Sequence, residues 1–70
     1  MKMIRLRVKE VAESQGLNLS RLSRRADVDL KTVQRIWHEP TKEISTATLD
    51  KLARALGVEA SDLLESVSGD

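Results

Sequence analysis

The sequence predicts an all-α domain built from five short helices. Three observations predict it. Apolar residues recur at helical spacing in brief runs, and the runs open near polar residues suited to capping, Asn18, Asp29 and Ser45 or Thr46. They close where Gly16, Pro40 and Gly57 stand, residues that end helices by left-handed geometry or by a missing N–H.

Taken in order, Met3 to Val8 alternates apolar and basic, a period-two pattern that fits either a short strand or the frayed start of the first helix. That helix carries Val8, Val11 and Ala12 on one face and stops at Gly16. Asn18 is expected to cap a second helix, with Leu19, Leu22, Ser23 and Ala26 turned inward. Asp29 is placed to cap a third, whose Val33 and Ile36 face the core. Pro40 disfavours helical geometry at Glu39 and ends that helix about there. Residues 40–45 form a polar loop, and a fourth helix follows with Leu49, Leu52, Ala53 and Leu56, ending at Gly57. From about Ala60, Leu63, Leu64 and Val67 suggest a fifth helix, and Ser68-Gly69-Asp70 a tail. Residues 1–70 are expected to form one domain, its core spanning about 4–66, without repeats or linkers.

Seventy residues lie near the lower limit for one unassisted core. The chain has no Cys, so disulfides and thiolate metal sites are excluded, and a reducing compartment fits. Trp37 is the one aromatic residue, which makes the core aliphatic. No signal peptide follows the basic start, and no stretch approaches the roughly 20 apolar residues of a membrane span. The net charge of +1 conceals an asymmetry. Residues 1–42 hold ten Lys/Arg against five Asp/Glu, and residues 43–70 hold two against six, so the halves carry +5 and −4. The first half suits an anionic partner; the acidic second half suits a protein partner.

The segment around Asp27-Val28-Asp29 joins two helices spanning about 19–38, and a turn this short makes them cross steeply. Ser23 supplies a small residue where the backbones approach, Val28 an apolar plug, and Asp27 tolerance of left-handed geometry. Here the chain resembles the Cro/repressor-type (XRE-like) helix-turn-helix DNA-binding domains. The residues that carry the resemblance are GLNLSRLSRRADVDLKTVQRI (16–36) and TLDKLARALGVEASDLLE (48–65), in the family's order and separation. The resemblance implies a compact five-helix, lambda-repressor-like domain with its helix-turn-helix at about residues 19–38. Three departures stand out. Leu19 lies where relatives carry a phosphate-gripping Gln, Asp27 where they carry Gly, and Ala12 and Trp37 where many carry an Arg–Glu pair. Packing of Trp37 against Ala12 is the expected replacement for that pair; the alternative leaves Trp37 exposed as an anchor for a partner.

At about 100° per residue, Leu30, Lys31, Gln34, Arg35 and His38 share an arc of roughly 140°, opposite Val33 and Ile36. Lys, Gln and Arg are the side-chain types that recognise guanine and adenine edges in the major groove, and Leu30 suits a thymine methyl. The resemblance places base contacts on Leu30, Lys31 and Arg35, with Gln34 on the same face. Phosphate contacts are expected from Asn18, the Leu19 backbone N–H, Thr41 and Lys42, while Arg21, Arg24 and Arg25 add positive field.

No nucleophile arrangement, phosphate loop or metal-ligand spacing appears, and His38 has no companion ligands. The expectation is therefore a non-enzymatic, cofactor-free transcriptional regulator, most simply a repressor, that binds double-stranded DNA. It is expected in a prokaryotic or phage-associated cytoplasm, at the nucleoid when bound. A homodimer through Ile4-Arg5-Leu6-Arg7 or the last helix is one expectation; the alternative tucks Ile4 and Leu6 into the monomer core. The alternative is a protein-interaction module on the same fold, antitoxin-like or an adaptor.

Overall fold

In the computed structural model, which describes residues 2–68, the two ends of the chain meet. Strand β1 (Lys2–Leu6) pairs antiparallel with β2 (Leu64–Ser68), in a register that sets Met3 against Val67, Arg5 against Glu65 and Leu6 against Leu64. Between them lie four helices, α1 (Val8–Ser14), α2 (Leu19–Ala26), α3 (Leu30–His38) and α4 (Thr46–Leu56), and a 3₁₀ turn at Ala60–Leu63. The fold is helical with a two-stranded ribbon, so the all-α, five-helix expectation is corrected at both ends.

The correction has a local and a long-range cause. Leu64 and Val67 are the only apolar residues of the last segment, and their i, i+3 spacing is helical, but two residues are a weak signal. Ser66, Val67 and Ser68 are poor helix formers, and five residues are too few for a helix to be stable on propensity alone. The pairing partner, β1, lies some sixty residues away in sequence, so no local window contains it. The alternation of Met3 to Leu6 settles as strand for the same reason. Of the expected tail, Ser68 closes β2, and the rest lies outside the described residues.

The helices form as their spacing dictates. Leu22 and Ala26 of α2, Val33 and Ile36 of α3, and Leu52, Ala53 and Leu56 of α4 are buried. They meet Val8 and Ala12 of α1, and Leu6, Leu17 and Leu63 complete an aliphatic core. Trp37 is half-buried against this cluster, which contains Ala12. Asn18 and Ser45 cap as expected, accepting from the backbone N–H groups of Arg21 (2.9 Å) and Thr48 (3.1 Å). Asp29 occupies the N-cap of α3, but its side chain makes no capping bond, a correction to the expected cap.

Three helices end alike. Gly16, Asp27 and Gly57 take left-handed φ values of 74°, 56° and 68°. The next N–H then reaches back five residues, Leu17 to Ala12 (2.9 Å), Val28 to Ser23 (3.1 Å) and Val58 to Ala53 (3.0 Å), the Schellman arrangement.

The ribbon is fastened to the helices at its base and along its side. Leu6 N–H donates to the Pro40 carbonyl and Arg7 N–H to the Leu63 carbonyl, both at 2.8 Å. The Arg5 guanidinium donates to Glu65 at 3.2 Å across the ribbon and also to Glu10 on α1. That hydrogen bond from Arg5, with the attraction of its charge, holds the Glu10 carboxyl below its ordinary range, against an opposing desolvation.

A carboxylate with a depressed folded-state value stabilises the fold above its unfolded value, and that stabilisation disappears as pH falls through the folded one. Glu10→Gln should therefore lower stability at neutral pH and flatten the acid limb of the stability curve. Urea melts of both proteins should converge once the pH lies below the depressed folded-state value of Glu10. Equal separation at every pH would show that the pair does not contribute.

Candidate functional site

The α2–α3 pair is held by reciprocal bonds across its turn. Val28 N–H donates to the Ser23 carbonyl, and the Ser23 hydroxyl donates to the Val28 carbonyl at 2.5 Å. A larger residue at 23 would separate the helices, and one without a hydroxyl would leave the Val28 carbonyl without this donor. Val28 is half-buried against the core, as the apolar plug requires. Asp27 carries the left-handed turn, its carbonyl accepting from Lys51 of α4 at 3.5 Å. These contacts fix the direction in which α3 leaves α2.

That direction puts one face of α3 outward. Lys31, Gln34, Arg35 and His38 are exposed, as is Leu30 at 40%, while Val33 and Ile36 are buried beneath. The arc expected from helical geometry is thus present, with Thr32 and Trp37 half-buried at its margins.

The other expected residues are spread around this helix. Asn18 is exposed at the start of α2, its Oδ1 engaged in the cap, which leaves its amide NH₂ as the outward donor. Leu19 is half-buried and packs on the core, so only its backbone belongs to a candidate contact. Thr41 and Lys42 are exposed just beyond α3, and the Lys42 ammonium lies 3.5 Å from Glu39. Both partners of that pair are more than half exposed, so it is weak and easily exchanged for another anion.

One feature was not anticipated from sequence. Ser20, Ser23 and Arg24 of α2 line, with Leu30, a solvent-open depression of about 370 Å³ where α2 meets the start of α3. A lone Ser such as Ser20 has no sequence signature, although its i, i+4 spacing to Arg24 puts the two on one flank of α2.

The charges are arranged unequally. Arg5, Lys42 and Arg54 are each paired with a carboxylate. Arg21, Arg24, Arg25, Lys31 and Arg35 are all exposed, and none of them joins an ion pair among the described residues. The helix-turn-helix therefore presents its positive charge unneutralised, which focuses field on that side. Among the described residues no three His, Asp or Glu side chains gather as a metal site, and no helix is long and apolar enough to cross a membrane.

Comparison with protein families matches residues 7–68 to the Cro/C1-type HTH DNA-binding domain. Neither curated proteins nor solved structures gave a match. The matched span contains all four helices and β2.

The turn makes opposite predictions for its two polar residues. Asp27→Gly removes a left-handed non-glycine residue and should stabilise the domain by about 0.5–1 kcal/mol. Ser23→Ala removes the hydroxyl bond to Val28 and should destabilise it by roughly 1 kcal/mol. Thermal melts of the two variants beside the parent protein check both signs.

Proposed function

The chain belongs to the family of Cro/C1-type HTH DNA-binding domains, and we propose that it is a sequence-specific transcriptional regulator acting as a repressor. The observation that carries this reading is the group of five exposed, unpaired cations on α2 and α3 around the outward face of Lys31, Gln34 and Arg35. Such a face suits the major groove, where Arg and Lys match guanine O6 and N7, and Gln matches adenine N6 and N7. In this reading the bases are recognised by Leu30, Lys31, Gln34 and Arg35. Phosphates on either side are held by Asn18, the Leu19 N–H, Thr41 and Lys42, with Lys42 exchanging Glu39 for a phosphate oxygen. A bound protein that occupies an operator blocks polymerase without any catalytic step, so the domain needs neither cofactor nor metal. The whole chain then works as one domain in a prokaryotic or phage-associated cytoplasm.

A single module of this size covers little DNA, and two copies on a two-fold site would double the contacts. The ribbon suits the joining of two copies. Met3 is 46%, Ile4 52% and Leu64 38% exposed, and Arg5 is already neutralised by Glu10 and Glu65. By the register Ile4 and Leu64 share one face of the ribbon and Met3 lies on the other beside Arg5, so the apolar patch is that of Ile4 and Leu64, and a second copy about a two-fold axis would cover it with the same patch. The exposed apolar groups of the ribbon, together with the exposed acidic residues Glu59, Asp62 and Glu65 of the C-terminal half, favour the second reading, an antitoxin-like or adaptor module that binds a protein.

Titration of duplex binding across salt concentrations separates the two readings. Affinity for DNA should fall steeply as salt rises; binding that is absent or salt-insensitive would favour the protein partner. Arg35→Ala should cost about 1–3 kcal/mol and relax one base position in a selected consensus. Lys42→Ala should weaken all duplexes alike and reduce the salt slope by about one unit. Sedimentation should show a dimer at high micromolar concentration or on DNA, and a monomer under both conditions would exclude the ribbon interface.

A further inference from the structure

Every apolar residue of α2, α3 and the turn between them has a packing role except one. Leu19, Leu22, Ala26, Val28, Val33, Ile36 and Trp37 are in the core or packed against it. Leu30 does not join them, and it is 40% exposed. The first position of a helix has no need of leucine, and a polar residue there would solvate better and interrupt nothing. The other exposed large hydrophobics, Met3, Ile4 and Leu64, lie on the ribbon. Leu30 is thus the one large apolar side chain that the described residues place, exposed, on the cationic helix-turn-helix.

Its surroundings restrict what it can meet. On the helix it neighbours Lys31 and Gln34, and across the open depression it faces the side of α2 bearing Ser20, Ser23 and Arg24. An apolar group framed by hydroxyls and cations matches a ligand that is anionic and polar overall and has one small apolar projection. In the major groove, the C5 position of a pyrimidine offers that projection. Thymine carries a methyl there, and so does 5-methylcytosine, whereas cytosine and uracil carry only hydrogen. Leucine neither donates nor accepts, so it responds to the methyl and is indifferent to the O4 or N4 group beside it.

We infer that Leu30 makes this domain a sensor of the pyrimidine C5 methyl, so that one position of its DNA site is read as methylated or unmethylated, in thymine and 5-methylcytosine alike. This rests on the DNA-binding reading above. It implies that cytosine methylation at that position strengthens occupancy, where a hydrogen-bonding residue would have discriminated the bases by O4 or N4.

The experiment uses the full chain and the duplex selected from a random pool. Each thymine is replaced in turn by deoxyuridine, and at the sensitive position cytosine is compared with 5-methylcytosine, opposite guanine. Removal of the methyl at the sensitive position should weaken wild-type binding about fourfold for each methyl lost, the equivalent of one buried methyl group. Methylation of cytosine there should restore a similar factor. Leu30→Ala and Leu30→Asn, at an exposed position, should bind both members of each pair equally. Sequence-specific binding that ignores deoxyuridine everywhere would overturn the inference and leave the regulator reading intact. Methyl sensitivity that survives in both Leu30 variants would also overturn it, by assigning the contact elsewhere. Absence of any preferred duplex would overturn both.

Discussion

The geometry of this protein depends on the closure of one turn. Ser23 and Val28 exchange two hydrogen bonds across it, and Asp27 makes the exchange possible by taking a left-handed conformation. Without the reversal at Asp27 the second helix would continue, and α3 would not cross it. The turn directs Val28 inward and, two residues later, Leu30 outward, so one local conformation separates core from surface. Lys51 ties the same turn to α4, which anchors the helix-turn-helix to the helix packed behind it. Each outward side chain on α3 is therefore positioned by bonds made before the helix begins.

The second constraint is the meeting of the chain's ends. A core of twelve buried residues is small for a domain, and the helices alone would leave Leu6 and Leu63 at an open edge. Pairing β1 with β2 covers them, and the bonds of Leu6 to Pro40 and Arg7 to Leu63 fasten the ribbon to the loop after α3 and to the turn after α4. Arg5 links β1, β2 and α1 through two carboxylates. Its guanidinium keeps both charges partnered where the ribbon meets α1.

The helices were legible in the sequence because their information is local. Asn18 and Ser45 cap, Gly16 and Gly57 stop, and the apolar spacing turns Leu22, Val33 and Leu52 inward, all within a few residues of one another. The outward arc of α3 followed from the same periodicity. The ribbon was not legible as such, because whether Leu64–Ser68 forms strand or helix depends on Lys2–Leu6 at the other end of the chain. Asp29 was misjudged for a different reason. A capping residue type at a capping position still needs the side-chain rotamer that reaches back, and sequence does not specify it. The depression beside Leu30 is a property of two helices and their crossing, and neither helix alone contains it.

Several of the chain's departures from what stability favours lie on the helix-turn-helix. Asp27 takes a conformation that glycine adopts more easily, Leu30 exposes hydrocarbon, and five cations on α2 and α3 face solvent without an ion pair among the described residues. Elsewhere some of the same features are compensated, although Met3, Ile4 and Leu64 stay exposed on the ribbon and Arg7 and Lys9 stand exposed at the start of α1. Gly16 and Gly57 make the other left-handed stops, and Arg5 and Arg54 find carboxylates. The charge and the exposed leucine weaken the isolated domain slightly, through mutual repulsion and contact with water. Both costs vanish when an anionic surface with apolar projections covers that side, since counter-charge and burial arrive together. Binding of such a surface would therefore relax this side of the free protein.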